Sequence, residues 1–594
     1  MAAAWPALGG CGSSGDSNDG SSGGSSGGSS GGSSSDSSGR RGRDVPGGLR
    51  GADGAALAGE IVGANDRVGH WLRDGLAQER LDRGLPIEWH EVDVVIVGAG
   101  VAGLAAAYRL ERAGCRDYVV LELEDAPGGT ARSGNRDGFS FPWGAHYLPL
   151  PQPDNTPLVD LLEEMGVVQG RTADGRLLAD EMALCRDPQE RLLFEGEWRE
   201  DLDPWEGADA RELRQYQEFR EEIARWTRWR DPRGRRAFTL PSSRCSDDAT
   251  VLALDQLTMA QWLRQHGWTS PRLRWLVDYA CRDDYGMSID EVSAWAGLFY
   301  FCARQPEGVD TPSDSQANAP RGPAAPAPSA ADGLVSQPVL TWPEGNGRLV
   351  RHLREVAGDR VHSGCPVLRI RQGAASAVEV IAVNVGADGA LRGWRARRVI
   401  CAVPQFIARR LIPELPPERV RAIESFQYGA WMVANIHLRD RPQDPGFPLA
   451  WDNVDYRSDS LGYVVATHQQ GVDHGPTVWT WYYAFVNAEP RAARRQLYEM
   501  SWAEAADWVL ADLERAHPEI RRLATRVDVM RWGHAMVRPY PGFRASDARR
   551  VAAAPFGSVH FAHSELGGLA LFEEAFDQAC RAADEVLAQL GRQR

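Results

Sequence analysis

The sequence predicts an α/β protein in which a Rossmann-like, three-layer domain built on a parallel sheet is interleaved with an α+β domain containing a mixed or antiparallel sheet. Three observations carry this prediction. A run of β-branched residues ends in a glycine-rich turn and an alanine-rich helix near residue 100. Strand and turn patterns of the same kind return between residues 338 and 404, and again in the last forty residues. The stretches left between these returns are rich in aromatic residues and read as strands of a second sheet.

The first element is Asp93-Val-Val-Ile-Val97, whose consecutive β-branched residues mark a buried parallel strand. Gly98, Ala99, Gly100, Ala102 and Gly103 follow, and the helical stretch runs on through Leu104 to Leu110. Each glycine has its own reason. Gly98 makes the tight turn, Gly100 lets a pyrophosphate approach the main chain, and Gly103 lets the helix pack close to the strand. The N–H groups at the start of that helix then point at the phosphates. A second strand, Tyr118-Val-Val-Leu-Glu122, ends in an acid 24 residues after Gly98, where a carboxylate takes the adenosine ribose hydroxyls. An acid there repels a 2′-phosphate. The combination predicts a bound adenine dinucleotide and disfavours NADP.

The residues after the second strand separate FAD from NAD. Glu124-Asp-Ala-Pro-Gly128-Gly129-Thr-Ala-Arg132 resembles the glycine pair of the flavin amine oxidases and carotenoid desaturases. In that superfamily the pair lets the chain pass close to the FAD phosphates, and an arginine directly after it binds them. Here Thr130 stands in that place and Arg132 follows two residues later. Phe141-Pro-Trp-Gly144-Ala145-His146 is similar to the family element that lies against the isoalloxazine ring, which puts His146 beside flavin and substrate. The resemblance continues through Pro343-Glu-Gly345-Asn-Gly347, through Pro366-Val367 (the backbone that holds the adenine end) and through the strand Arg398 to Pro404. At the C-terminus a strand over Ser558 to Ala562 leads to a helix beginning at Leu571-Phe572, which in relatives points its positive end at the flavin. Two departures stand out. His563-Ser564 replace the Gly-acid pair that binds the ribityl chain, with Glu565 displaced by one, and Glu574 replaces a glycine.

The resemblance thus implies a Rossmann-like FAD-binding domain with non-covalent FAD. The chain divides into a Ser/Gly-rich tether (1–58), an FAD-binding domain in three parts (59–150, 338–409 and 526–594) and a substrate domain in two (151–335 and 410–525). A Pro/Ala-rich insertion occupies 305–337. A helix is expected over Ile61 to Arg80, and strands over Tyr428 to Leu438 and Thr477 to Phe485. Trp295, Trp431, Trp451, Tyr482 and their neighbours supply core, with a few lining a cleft over the flavin. Arg282-Asp-Asp-Tyr285 reads as a capping and salt-bridging cluster. Trp532, His534 and Arg538 lie on the approach to the last flavin segment, so His146, Trp532 and His534 are the candidate catalytic residues.

Composition closes off other chemistries. Net charge is -15 and all 66 basic residues are arginine, so the chain offers no basic nucleic-acid surface, no P-loop lysine and no Schiff-base lysine. The lysine that many amine oxidases place near flavin N5 is absent too, which gives weight to desaturase-like chemistry. Nine cysteines show neither CxxC nor His/Cys ligand spacing, and no metal site is expected. Leu8-Gly-Gly-Cys11 before the Ser/Gly tract resembles a bacterial lipoprotein processing site, although MAAAWPA lacks a basic start and a full apolar stretch. Lipidation at Cys11 would tether the protein to a membrane of the cell envelope; without it the chain is cytoplasmic. The expected activity is hydride transfer from a small-molecule substrate's carbon to flavin N5. The alternatives are a desaturase- or porphyrinogen-oxidase-like enzyme acting on a large apolar substrate, and a non-catalytic flavoprotein.

Overall fold

The computed structural model describes residues 49–51, 54, 56–305, 338–373, 377–385 and 390–592. Cys11, the Ser/Gly tract and all of the 305–337 insertion beyond Gln305 lie outside the described residues.

Ile87–Val97 is the central strand of a seven-stranded sheet. It is flanked by Tyr118–Leu121 and Leu391–Cys401, both parallel to it, and Val361–His362 extends the sheet beyond Tyr118–Leu121. Alternation along the central strand makes the three layers. Val94 and Ile96 face the helices Val101–Arg112, Gly347–Ala357 and Phe572–Gln589, whereas Val95 and Val97 face the opposite layer with Leu411 and Phe426. The sheet is mixed rather than purely parallel. The eleven residues of Leu391–Cys401 offer their first half to the antiparallel strand Val378–Val383 and their last three to the parallel strand Val559–Phe561. Val367–Gln372 then closes an antiparallel meander, which needs only short turns where a parallel return would need a crossover.

The second sheet has eight strands, in the order Ala58–Gly63, Ala524–Val537, Tyr428–Leu438, Thr477–Ala484, Tyr463–Val465, Asp452–Asp455, Glu190–Phe194, Glu197–Glu200. Its pairings are antiparallel except at Ala58–Gly63 with Ala524–Val537 and at Asp452–Asp455 with Glu190–Phe194. Trp479, Trp481 and Tyr483 pack outward under the helices Pro490–Glu499 and Trp502–Leu513. Val478, Tyr482 and Ala484 point the other way, toward Phe141 and Trp143. A helical cluster of Ala210–Arg228, Met259–Gln265, Pro271–Tyr285 and Ala294–Ala303 packs around Phe219, Trp262 and Trp295.

Three expectations are corrected by these pairings. The helix expected over Ile61 to Arg80 is instead the strand Ala58–Gly63 followed by two short helices, Asp66–Gly69 and Leu76–Asp82. Gly59 permits the strand: a Cβ there would lie 1.9 Å from the Val527 carbonyl oxygen, so only glycine lets the two backbones pair. The same strand belongs to the second sheet, although residue 59 was expected to open the FAD-binding domain. Ala524–Val537 is likewise paired across Tyr428–Leu438 in that sheet, so the expected boundary at 526 falls inside one of its strands.

Candidate functional site

The three glycines of the turn differ in what surrounds them. Gly98 has φ +96° and its N–H donates to the Leu121 carbonyl at 2.8 Å. A Cβ on Gly103 would sit 1.8 Å from the Gly98 oxygen, so the first turn of the helix can pack against the glycine turn only with a glycine there. A Cβ on Gly100 would meet nothing within 4 Å. That side of the turn is open space. The helix Val101–Arg112 begins there with no side-chain cap, leaving its first N–H groups for a ligand. Ala99 and Ala102 are buried beneath.

Glu122 is buried at the end of its strand, and its two oxygens accept N–H bonds from Ala99 at 2.6 Å and Glu124 at 2.9 Å. Burial raises its pKa, opposed by those bonds. Gly128 donates its N–H to the Ala99 carbonyl at 2.8 Å, and with Gly129 (φ +57°) it stacks directly on the first turn. Arg132 is no surface residue. Its side chain is 11% exposed, lies 3.5 Å from Glu124, and its guanidinium sits 5.7 Å over the Trp532 ring. The Cys365 N–H donates to the Glu122 carbonyl at 2.7 Å, which brings the start of the Val367–Gln372 strand to the same end of the sheet.

At the other end of the crevice Glu565 is buried, with one oxygen on the Gln405 N–H and the other without a hydrogen-bond partner among the described residues. Burial pushes its pKa up to about 7. The Gln405 side-chain amide also has no partner among the described residues. Glu574 turns away from the crevice and accepts bonds from the Ser242 N–H and hydroxyl, so it pins the last helix to the loop at 241–245. These features fit an extended dinucleotide: a cradle that a Cβ on Gly100 would fill, an uncapped helix end, a buried acid at the ribose position and unpaired polar atoms farther along.

Two joined cavities lie where the sheets meet. The smaller, about 140 Å³, is lined by Thr130, Gly144, Ala145, His146, Trp431, Tyr482, Trp532, Phe572 and Glu573 among others. The larger, about 840 Å³, runs from His146 and Tyr147 past Glu190, Tyr279, Tyr300, Trp451 and Asp452. Asp283, Arg304, His146 and Tyr147 line both. Gly144 is glycine because a Cβ would lie 2.3 Å from the Thr130 carbonyl oxygen. The Gly144 carbonyl accepts the Tyr482 hydroxyl at 3.0 Å and the His146 carbonyl accepts Thr341 Oγ1 at 2.8 Å, which fixes the segment at the seam. The His146 ring packs 4.8 Å from Tyr482 and 5.4 Å from Trp451, and burial lowers its pKa to about 4. It is neutral at physiological pH.

The structure therefore brings together His146, Trp532, Gly144, Ala145 and Phe572. Trp532 is anchored by its Nε1–H on the Trp143 carbonyl at 2.6 Å. His534 is a correction: it is exposed, stacks on Phe406 at 4.3 Å, and lines neither cavity, because it packs to the flank of its strand.

Sequence reasoning missed the acids. Eight acidic residues line the two cavities against one arginine. The cluster around residue 283 is half as expected. Arg282 pairs with Asp278 at 2.9 Å and Arg304 with Asp284 at 2.7 and 2.8 Å, but Asp283 carries no hydrogen bond among the described residues and faces the cavity. Burial and the neighbouring Asp284 raise its pKa. Removal from water pushes Glu190 and Glu573 up to about 7 each. A usable signal was present: Leu276, Tyr279, Ala280 and Asp283 sit at helical spacing on one face of Pro271–Tyr285, and all four line the larger cavity.

Comparison with known proteins agrees with this geometry. Residues 101–587 match the sequence profile of the family described as flavin containing amine oxidoreductase. A stretch of 77 residues is 44% identical to putrescine oxidase of Kocuria rosea, covering 13% of this chain and 15% of that one. Another, of 93 residues, is 41% identical to phytoene dehydrogenase of Streptomyces griseus and covers 16% of each. The matched stretches thus span about a sixth of these relatives' lengths. Among solved structures, wild-type putrescine oxidase bound to putrescine aligns over 85% of this chain and 100% of its own, with a TM-score of 0.60 and 18% identity.

Proposed function

The chain belongs to the flavin-containing amine oxidoreductases, and from that premise we propose that it is an FAD-dependent oxidoreductase acting on a cationic amine. One observation carries the choice of substrate: the joined cavities are walled by aromatic rings and by acids, with Arg304 as their one arginine. A large apolar substrate would strand those carboxyls without water or counter-charge, a penalty of several kcal/mol for each ionised group. An ammonium group compensates them. The putrescine oxidase of similar fold was solved with putrescine bound, which supports the same reading.

FAD, when bound, supplies the acceptor for a hydride leaving the substrate carbon. The chain's own residues supply the rest. Gly98 to Gly103 and the uncapped helix start hold the pyrophosphate, with Gly128 and Gly129 making room for it and Arg132 adding positive charge. Glu122 takes the ribose hydroxyls, the Val367 backbone takes the adenine end, and Glu565 with Gln405 takes the ribityl hydroxyls. The cofactor is held non-covalently. Gly144 and Ala145 keep the crevice wall flat beside the reactive end.

On the substrate side, Asp283 meets the ammonium and takes one of its protons, leaving a neutral amine whose lone pair can assist departure of the hydride. Its raised pKa suits that transfer near neutral pH. His146, neutral and clamped through its backbone, positions the amine by hydrogen bonding. Tyr482, Trp431 and Trp532 exclude water from the smaller cavity. The last helix points its start at this cavity, but Glu573 in its first turn offsets part of the positive dipole when ionised.

Heat release of the cofactor followed by its absorption spectrum identifies the flavin, and a screen of amines for peroxide release identifies the activity. FAD with amine-dependent peroxide supports the proposal. FAD with no reduction by any amine under anaerobic conditions would leave the non-catalytic reading instead.

A further inference from the structure

The turn that leads from Glu565 into the last helix is gripped by two arginines. The short helix Ser564–Gly567 ends on Gly568, whose φ of +93° is left-handed. The Gly567 carbonyl accepts Arg549 Nη1 at 2.7 Å and Arg544 Nη1 at 3.2 Å, and Arg549 Nη2 donates to the Arg544 carbonyl at 2.9 Å. Arg544 also reaches the loop at 241–245. It donates to the Ser242 carbonyl at 2.8 Å and to the Ser242 hydroxyl oxygen at 3.1 Å, and its guanidinium lies 4.5 Å over the buried Trp295 ring. Glu574 takes the same hydroxyl's proton at 2.8 Å. A Cβ on Gly567 would lie 2.0 Å from Glu574 Oε2, so Gly567 leaves the room that this carboxyl fills.

The two positive charges are poorly matched. Neither guanidinium makes an ion pair among the described residues, because their bonds run to carbonyl and hydroxyl oxygens. Burial and the charge of Arg544 bring the Arg549 pKa down to about 9, which still leaves it charged at neutral pH. Asp255 and Glu574 are the acids near them, and burial raises the pKa of both, that of Glu574 to about 7. Ala570, Leu571 and Phe572, which follow the gripped turn directly, line the smaller cavity. An extended chain spans at most about 3.6 Å per residue, so Gly567 lies within about 11 Å of Ala570.

We infer that Arg544 and Arg549 set the reduction potential of the bound flavin, by holding two positive charges behind the segment that lines the reactive end of the crevice. A flavin that takes a hydride from the substrate carbon is reduced by two electrons and gains one negative charge, and the substrate is oxidised by the same pair. Positive charge nearby therefore favours the reduced form. One charge at about 12 Å, with an effective dielectric constant of about 20, shifts that equilibrium about tenfold. The effect needs bound FAD and does not depend on which substrate the cavity admits.

Reductive titration of the FAD-loaded protein against reference dyes at pH 8, without any amine, reads the potential. Arg544→Gln and Arg549→Gln should each lower the reduction equilibrium constant about tenfold, which is about 30 mV for a two-electron couple. Arg549→Lys keeps the charge and should stay within about twofold of the parent. Glu574→Gln removes a negative charge at this pH and should raise the constant, again about tenfold. Thermal melting and flavin content check the fold of each variant. A folded, yellow Arg549→Gln that matches the parent overturns the assignment, and so does an Arg549→Lys that falls as far, since a clamp acting by shape alone ignores charge. Should neither glutamine variant of the arginines fold, Glu574→Gln decides: a raised constant supports the assignment, and an unchanged or lowered one overturns it. Either result leaves amine oxidation standing.

Discussion

Arg304 grips both carboxylate oxygens of Asp284, at 2.7 and 2.8 Å, whereas the adjacent Asp283 makes no ion pair among the described residues. Two neighbouring acids at the end of one helix thus have different surroundings: Asp284 completes a buried ion pair, and Asp283 lines both cavities unpaired. Substituting Asp284→Asn strips Arg304 of its counter-charge in a site where the two side chains are 11% and 3% exposed. The expected loss of stability is about 3–5 kcal/mol, read by urea denaturation of the holoenzyme. Asp283→Asn breaks no hydrogen bond and should cost far less stability while abolishing most turnover.

The pH dependence follows from the cavity acids. Glu190 and Glu573 have pKa values raised to about 7, so in the free enzyme they are protonated below that value and ionised above it. KM for a cationic amine should therefore fall as pH rises through about 7. The sign for stability is opposite: groups whose pKa is raised in the folded state favour folding of the protonated form, and the ligand-free protein should lose stability between the ordinary glutamate range and pH 7. His146, held near 4, contributes no inflection in the neutral range. A KM that climbs with pH across this window would contradict the assignment.

Gly100 and Gly103 separate cofactor binding from folding. A Cβ on Gly103 collides with the Gly98 carbonyl oxygen at 1.8 Å, so Gly103→Ala should disturb the turn itself and lower the melting temperature even without FAD. A Cβ on Gly100 enters open space, so Gly100→Ala should melt like the parent apoprotein. It should nevertheless bind FAD about 100-fold more weakly, which is about 2.8 kcal/mol, because the methyl group occupies the phosphate's place. Flavin fluorescence titration measures the affinity.

Away from the site, Asp444 holds together a network in which Arg191 and His517 are fully buried. It accepts the Arg191 guanidinium at 2.7 Å and His517 Nδ1 at 2.7 Å, while His517 Nε2 meets the Tyr463 hydroxyl at 2.7 Å. Burial works against its ionised form, but the His517 bond and the Arg191 charge prevail and lower its pKa. Its contribution is therefore present above the ordinary aspartate range and lost as pH falls through its depressed value. Asp444→Asn should destabilise by about 3–5 kcal/mol at neutral pH, and the difference from the parent should shrink in acid, measured by denaturant titration at both pH values.

What the sequence made legible was local. The strand, glycine turn, helix and terminal Glu122 form within about thirty consecutive residues, and each glycine has a steric reason readable from spacing alone. The strands Tyr428–Leu438 and Thr477–Ala484 were legible for the same reason. The substrate cavity was not, because its acids come from separate parts of the chain. Glu190 lies on one strand, Asp452 on another, Asp283 on a helix and Glu573 at the head of the last helix, and only the tertiary fold turns them to one space. His534 shows the converse: its stretch leads into the last flavin segment, yet its ring packs against Phe406 outside the cavities. The strand Ala58–Gly63 was hidden because its pairing partner stands more than 460 residues away.

In the proposed holoenzyme FAD lies along the Gly98–Gly103 turn with its reactive end beside His146 and Asp283. The most direct test is anaerobic titration of the purified yellow protein with a straight-chain diamine, followed by the flavin absorption. Stoichiometric bleaching is expected, with the yellow colour restored on admission of air and the bleaching lost in Asp283→Asn. A colourless protein that takes up no added FAD, or a yellow one that no amine bleaches, would contradict it.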